Sequence, residues 1–241
     1  MNALRAAFAY FSIFPVGFTA APRAGALAAL PFVGIVVGGV AGLAGWLASF
    51  VMPLPLAIAV AFGANIVLSG AVHLDGFLDA CDALFASVPP ERRLEILKDP
   101  RHGTFALSGL AIVVPAWLVA IALLPPAAWP WAFAFCAGTA RGAAVLNAWR
   151  VPYAAGGASA RAFEERPRAA PLALGLLAAA LGCWMHPWLA VLVLPAVASA
   201  LLLGAWCAAR LDGVLAGDCY GAIIVFLEVT LLATAASLLA R

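Results

Sequence analysis

Long apolar runs, separated by short polar connections, organise this chain. A run of about twenty apolar residues is the length at which a helix crosses the hydrocarbon core of a bilayer. We count about seven such spans, at residues 24–52, 54–72, 105–124, 131–149, 171–185, 188–210 and 221–240. A weakly amphipathic segment at 1–14 and two short helices, one ending near residue 87 and one at 91–99, are predicted to be interfacial.

The composition makes lipid the solvent for much of this chain. Of its 241 residues, 66% are hydrophobic and 10% are charged, and a soluble domain of this length cannot hide that much apolar surface. We therefore predict an all-α polytopic integral membrane protein in which residues 1–241 form a single transmembrane domain. The net charge of +2 is too small to indicate binding to nucleic acid.

Small residues recur every fourth position in the first predicted span. Gly34, Gly38 and Gly42 form a stripe that lets another helix approach closely. A homo-oligomer formed through this stripe is one arrangement that it allows.

The basic residues predict the orientation in the membrane. Most Lys and Arg lie in connections separated by pairs of spans, whereas the connections near Met52, Pro125 and His186 contain none. Basic loops remain on the cytoplasmic side. We therefore expect a multi-pass membrane protein with all of its charged chemistry facing the cytoplasm.

One acidic stretch, HLDGFLDACD at residues 73–82, stands out in this charge-poor chain. In a helix, Asp75, Asp79 and Asp82 fall within an arc of roughly 60°. Three acids on one stripe repel one another, and a cation removes that repulsion. Carboxylate oxygens completed by water and substrate phosphates are what Mg²⁺ prefers. The alternative is a solvated helix end that marks the membrane surface. His73 lies roughly opposite the three acids.

A basic segment, RRLEILKDPRHGT at residues 92–104, follows on the same predicted side. A metal-bound phosphate needs cationic partners, and Arg offers a two-pronged donor. The segment therefore supplies candidate phosphate contacts, with an ordinary cytoplasmic basic loop as the alternative. These candidates are Lys98, Asp99, Arg101, His102, Gly103 and Thr104.

Two charges lie inside predicted spans. Arg141 is roughly 13 Å deep and Glu228 roughly 15 Å deep, measured along their helices from Arg150 and Asp218. Ions at such depth need a partner or a wet cavity. They either pair with each other as a structural bridge, or Arg141 reaches phosphate and Glu228 helps to order the site. Asp218 itself is a candidate N-cap of the last span.

Taken in order, these blocks resemble the cobalamin synthase family, adenosylcobinamide-GDP ribazoletransferase. The likeness covers most of the chain. It rests on HLDGFLDACD, on LEILKDPRHGT, on the Arg141-Gly142 pair and on GDCYGA followed by Glu228.

The resemblance implies an inner-membrane, Mg²⁺-requiring enzyme that joins adenosylcobinamide-GDP to α-ribazole or its 5′-phosphate and releases GMP. On this basis the metal ligands are predicted to be Asp75, Asp79 and Asp82. The predicted catalytic residues are Asp82, Asp79, Lys98 and Arg101, with Asp82 or Asp79 accepting the proton of the attacking hydroxyl. The predicted substrate contacts are Asp99, Gly103, Thr104, Arg141, Asp218 and Glu228.

Two other functions remain open at this point. A phosphatidyltransferase-like enzyme using a CDP-alcohol also carries spaced aspartates after an Asp-Gly pair, but it expects an Ala-Arg pair that Asp79-Ala80-Cys81 does not supply. A secondary transporter predicts ionisable residues near the bilayer midplane, whereas most acids here cluster at one face.

Overall fold

The computed structural model describes residues 3–17, 25–154, 169–181 and 187–239. These ranges contain ten α-helices and no β-strand; a single bridge pairs Tyr153 with Leu215. The helices are α1 Ala3–Phe11, α2 Leu30–Ala48, α3 Leu54–Leu68, α4 Val72–Phe85, α5 Pro90–Ile96, α6 Thr104–Leu123, α7 Trp129–Val145, α8 Ala169–Leu181, α9 Val193–Arg210 and α10 Gly217–Leu239. The all-α prediction is therefore confirmed for the described part of the chain.

All seven predicted spans contain a helix, but not all of these helices can cross a membrane alone. Four are long and apolar enough among the described residues: Leu27–Ala48, Thr104–Leu123, Leu189–Arg210 and Gly217–Leu239. The bent pair α3 and α4 makes a fifth if it is one broken span. Helix α7 has 17 residues and α8 has 13, which gives lengths of about 26 and 20 Å against a core of about 30 Å. The structure therefore supports four or five spans rather than about seven.

The glycine stripe of α2 packs on α7 of the same chain. A Cβ on Gly34, Gly38 or Gly42 would lie 2.3–2.4 Å from a backbone carbonyl oxygen of α7. No side chain fits at that distance, so the two backbones are in direct contact. The expectation of a close helix partner is confirmed, but the suggested homo-oligomer through these glycines is wrong because α7 already covers them.

Helices α7 and α10 form the centre of the structure, and other helices surround them. Nearly all of α7 is buried, as is most of α10. In contrast, only 28% of the residues are buried in each of the two spans that contain α6 and α9. Exposed apolar side chains such as Ile112 and Leu202 suit contact with lipid. The polar residues of interest are therefore positioned by a tightly packed interior pair.

A sharp turn brings α4 across the end of α3. Gly70 and Ala71 both have positive φ, +65° and +57°, and the two helices meet at 85°. Two arginines then hold the far end of α4: Arg93 donates to the Leu84 carbonyl at 2.7 Å and Arg210 donates to it at 2.8 Å. Cations at a helix C-terminus satisfy its free carbonyls. This clamp fixes the helix that carries the acidic stretch.

Most of the connection at residues 150–168, between the fourth and fifth predicted spans, lies outside the described residues, as do Arg23, His186 and Arg241. Residues 150–154 are described. Here the Tyr153 bridge joins the chain to the loop before α10: the Leu215 N–H donates to the Pro152 carbonyl at 3.0 Å, and the Ala154 N–H donates to the Leu215 carbonyl at 2.8 Å. This pairing brings Tyr153 next to the start of α10.

Candidate active site

The three acids of α4 face one short segment, residues 102–106. Helix α4 is continuous from Val72 to Phe85, so the spacing of Asp75, Asp79 and Asp82 does place them along one side. Asp75 and Asp79 approach His102, and Asp82 binds the backbone immediately after it. The prediction that the acids share a helix face and adjoin the basic segment is confirmed.

His102 lies between the first two acids. Its Nδ1 is 3.3 Å from an oxygen of Asp79, and its Nε2 is 3.8 Å from an oxygen of Asp75. Asp75 is widely exposed, with 67% of its side chain accessible, whereas Asp79 is mostly buried at 17%. The imidazole thus bridges two carboxylates whose charges would otherwise repel each other.

Asp82 caps the start of α6. One of its oxygens accepts the Gly103 N–H at 2.5 Å, and the other accepts the Ala106 N–H at 3.0 Å. The first N–H groups of a helix have no partner within the helix, which explains why a carboxylate is favourable there. A Cβ on Gly103 would lie 2.9 Å from the Asp82 carboxylate, so glycine leaves room for the contact.

This cap bears directly on the predicted magnesium site. Among the described residues, no three His, Cys, Asp or Glu side chains stand together as a ready set of metal ligands. Both oxygens of Asp82 accept backbone N–H groups, so this side chain is already occupied. The carboxylates that remain for a metal ion are those of Asp75 and Asp79. One or two carboxylates are what Mg²⁺ commonly takes from a protein. The donor set therefore fits a two-carboxylate site, and Mg²⁺ binding stays a prediction.

The basic segment divides into two parts. Arg101 forms a two-pronged pair with Asp99, with N–O distances of 2.9 and 2.8 Å, at an exposed position. The hydrogen bonds from Arg101 lower the pKa of Asp99 to about 2. Lys98 instead lines a cavity beneath the segment, and Thr104 begins α6. Arg93, which belongs to the same basic segment, is one of the two arginines that hold the end of α4.

Asp218 joins the acids of α4 although it lies far along the chain. It belongs to the first turn of α10, which begins at Gly217, so it lies inside the helix and the prediction that it is the N-cap is wrong. A Cβ on Gly76 would lie 2.9 Å from the Asp218 Cα, and a Cβ on Gly221 would lie 2.9 Å from the His73 carbonyl oxygen. This close approach of α4 and α10 puts Asp218 within electrostatic range of Asp79 and Asp75.

Arg141 and Glu228 form the structural bridge rather than a phosphate contact. Both are almost fully buried, and their side chains are in direct ionic contact. Glu228 also accepts a hydrogen bond from the Asn65 side chain at 3.0 Å, so the network ties α3, α7 and α10 together. Neither charged group reaches the site, and the alternative role in binding phosphate is not supported. Asn65 was not selected from the sequence as a partner of these charges, although a single amide side chain within an apolar span indicates a buried polar contact.

A cavity of about 500 Å³ opens beside the acids, between α1, α4 and the start of α10. It is lined mainly by apolar side chains, with a few polar residues that sequence reasoning did not combine: His73, Lys98, Tyr153, Asp212, Asp218 and Tyr220. Asp218 belongs both to the cavity and to the acidic cluster. The only sequence signal for the cavity was that His73 faces away from the acids.

Comparisons with known proteins show the family of this chain. The family model described as CobS, cobalamin-5-phosphate synthase, matches residues 3–236. A Deinococcus radiodurans protein named adenosylcobinamide-GDP ribazoletransferase is 37% identical over 237 residues, covering 96% of this chain and 84% of the relative.

A protein of the same name from Ralstonia pickettii is 32% identical over 237 residues, covering 92% of each chain. Another, from Desulfitobacterium hafniense, is 31% identical over 215 residues, covering 87% of this chain and 85% of the relative. No solved structure matches the chain.

Proposed function

The chain belongs to the CobS family of cobalamin-5-phosphate synthases, and from this premise we propose that it is an adenosylcobinamide-GDP ribazoletransferase. It joins adenosylcobinamide-GDP to α-ribazole or its 5′-phosphate, the final step in assembling the nucleotide loop of cobalamin. The observation that carries the proposal is the meeting of Asp75 and Asp79 with Asp218, with Lys98 lining the cavity that adjoins them. Carboxylates and cations at one helix crossing suit the transfer of a phosphoryl group.

The reaction forms one P–O bond and breaks another. A hydroxyl oxygen of the ribazole attacks the phosphorus on the cobinamide side of the diphosphate. The bond between that phosphorus and the bridging oxygen breaks, and GMP leaves with the bridging oxygen. The hydroxyl proton passes to a carboxylate oxygen of the protein.

Asp218 is the carboxylate that we assign to this proton. It lines the cavity and adjoins Asp79, so an acceptor hydroxyl at the cavity mouth lies between them. The sequence named Asp79 or Asp82 for this role. Asp82 is a poor candidate because both of its oxygens already accept N–H groups.

Asp75 and Asp79 are the residues that would hold Mg²⁺. The ion, when bound, neutralises negative charge on diphosphate oxygens. Asp75 is exposed toward solvent and Asp79 lies deeper, an arrangement that leaves one side of the pair open to a diphosphate. His102 contacts both acids through its side chain alone, so rotation of that side chain would open the space between them.

Lys98 and Arg101 would stabilise the charge on the departing GMP. Asp99 holds the Arg101 guanidinium in one orientation through two hydrogen bonds, which makes it a positioning residue. Gly103 and Thr104 contribute indirectly: Gly103 donates to Asp82, and Thr104 begins the helix that Asp82 caps. The basic segment is therefore proposed to place one mobile lysine and one oriented arginine near the leaving group.

We further propose that this end of the molecule faces the cytoplasm from the inner membrane. Two connections among the described residues carry basic side chains. The segment between α4 and α6 contains Arg92, Lys98 and Arg101, and Arg210 ends α9 before the loop to α10. In contrast, residues 49–53, which join α2 to α3, carry no charge. Positive charge in short connections favours the cytoplasmic side. Both substrates would then be taken up from the cytoplasm.

The experiment uses the purified protein in detergent with adenosylcobinamide-GDP, ribazole and Mg²⁺, and measures GMP release. We expect the unsubstituted protein to release GMP only when ribazole is present. Asp218→Asn and Asp79→Asn should each lower kcat by about 100-fold or more. Glu91→Gln, on exposed α5, is the matched control and should retain activity. Full activity in both aspartate variants would overturn the assignment, and no GMP release by the unsubstituted protein would overturn the function.

A further inference from the structure

The cavity beside the acids has the size of a site for a small ligand. Its volume is about 500 Å³, within the range of about 300 to 1,000 Å³ that is usual for sites that enclose a drug-sized molecule. Its walls are mostly apolar and come from α1, α4, α5 and the start of α10. A nucleoside fits such a volume, whereas a corrinoid nucleotide is several times larger.

A histidine and a phenylalanine give this cavity an aromatic wall. His73 and Phe11 both line the cavity, and His73 is only 6% exposed. The His73 Nε2 has no hydrogen-bond partner among the described residues but is itself shielded from solvent, so the wall presents ring surface and not this nitrogen. The His73 ring is nearly parallel to Phe11, with 18° between the planes and 6.1 Å between the centroids. The pair thus offers an aromatic surface against which a flat ligand can pack.

The charges at the cavity disfavour a diphosphate. Lys98 is the one cationic side chain among the residues that line it, and Asp212 and Asp218 are two anionic ones. Burial, reinforced by the charge of Asp218, raises the pKa of Tyr153 to about 12, so its hydroxyl stays neutral at physiological pH. A neutral, aromatic and hydroxyl-bearing molecule matches this lining better than the GDP end of the donor does.

We propose that this cavity is the binding site of the acceptor nucleoside. Its aromatic base lies against the wall of His73 and Phe11, and its ribose points toward Asp218. The identity of the nucleoside as a ribazole rests on the proposed function. The shared residue Asp218 explains how a hydroxyl bound in the cavity reaches the acidic cluster. The donor diphosphate then occupies the open side near Asp75 and Arg101, outside the cavity.

The test measures binding of radiolabelled ribazole to the purified full-length protein, with neither donor nor Mg²⁺ present. His73→Leu removes an aromatic ring from the cavity wall, and Leu97→Trp fills the cavity from its wall. Each should raise the Kd of ribazole by about tenfold or more, because the first removes a packing surface for the base and the second removes its space. Leu202→Trp, at a position 71% exposed on α9, is the matched control and should leave the Kd unchanged.

A second measurement separates the two substrates. In steady-state assays the same two variants should raise the KM for ribazole by about tenfold, while the KM for adenosylcobinamide-GDP stays within about twofold. A rise confined to the KM of adenosylcobinamide-GDP would assign the cavity to the donor and overturn the inference, and so would unchanged ribazole values. If the protein binds ribazole in this cavity but releases no GMP, the result would support the binding site and refute the proposed reaction.

Discussion

Gly76 of α4 and Asp218 of α10 approach so closely that a Cβ atom on Gly76 would lie 2.9 Å from the Asp218 Cα. The neighbour is backbone, which cannot rotate away as a side chain can. This one contact sets the distance between the acids of α4 and the acid that begins α10. It also sets the wall shared by the acidic cluster and the cavity, so catalysis and acceptor binding depend on the same helix crossing.

Substituting Gly76 by alanine should therefore damage the site as well as the packing. Overpacking a tight contact costs about 1–3 kcal/mol, and the separation of α4 and α10 must increase to relieve it. We expect Gly76→Ala to lower the thermal midpoint and to reduce kcat by about tenfold or more. Both are measured on the purified protein, by thermal unfolding in detergent and by GMP release.

Gly63→Ala is the control for this substitution, because a Cβ on Gly63 of α3 meets nothing within 4 Å. Alanine stabilises a helix interior by about 0.5–1 kcal/mol relative to glycine. Gly63→Ala should thus raise the thermal midpoint slightly and leave activity unchanged. Equal effects of the two substitutions would show that the α4–α10 contact has no special role.

Asp82 should behave as a helix cap rather than as a metal ligand. Asp82→Ala removes two hydrogen bonds at the start of α6, which should destabilise the protein by about 0.5–2 kcal/mol. In Asp82→Asn the concentration of Mg²⁺ that gives half-maximal activity should stay unchanged, whereas Asp75→Asn should raise it. Titrating Mg²⁺ in the GMP-release assay checks this. A similar rise in both variants would restore the three-carboxylate site that the sequence predicted.

Apolar side chains should be able to replace the buried pair of Arg141 and Glu228 without loss of the fold. Removing one partner leaves an uncompensated buried charge, so Glu228→Leu alone should cost about 3–5 kcal/mol of stability. The double variant Arg141→Met with Glu228→Leu should recover most of that stability and most of the activity. Thermal unfolding and turnover are measured on both variants. A double variant that folds stably but is inactive would show that Arg141 contacts substrate after all.

The orientation can be checked with single cysteines in intact cells. Glu91→Cys lies on α5 beside the acids, and Val51→Cys lies in the opposite connection, where Val51 is 81% exposed. A thiol reagent that does not cross membranes should label Val51→Cys in whole cells and Glu91→Cys only in inverted vesicles. The unsubstituted protein is the control, since any labelling of it comes from the native cysteines. The reverse pattern would place the site on the outer side.

The sequence predicted the local features of this protein well. Hydropathy located the helices, because a backbone in lipid must satisfy its own hydrogen bonds. The spacing of Asp75, Asp79 and Asp82 predicted a shared helix face, since the helical period is a local property. The two charges buried in apolar spans, Arg141 and Glu228, indicated a partner or a wet cavity because an ion at that depth needs one, and their pairing was one of two alternatives that the sequence left open.

Tertiary structure decided which groups are free to act. Asp82 is a cap only because α6 begins beside α4, and the glycine stripe of α2 is internal only because α7 covers it. Asp218 and His73 adopt their roles where α4 crosses α10, and these elements are far apart in the chain. Periodicity reports which face of a helix a residue occupies. It carries no information on which distant helix packs there, because that choice depends on the fit of all the helices together.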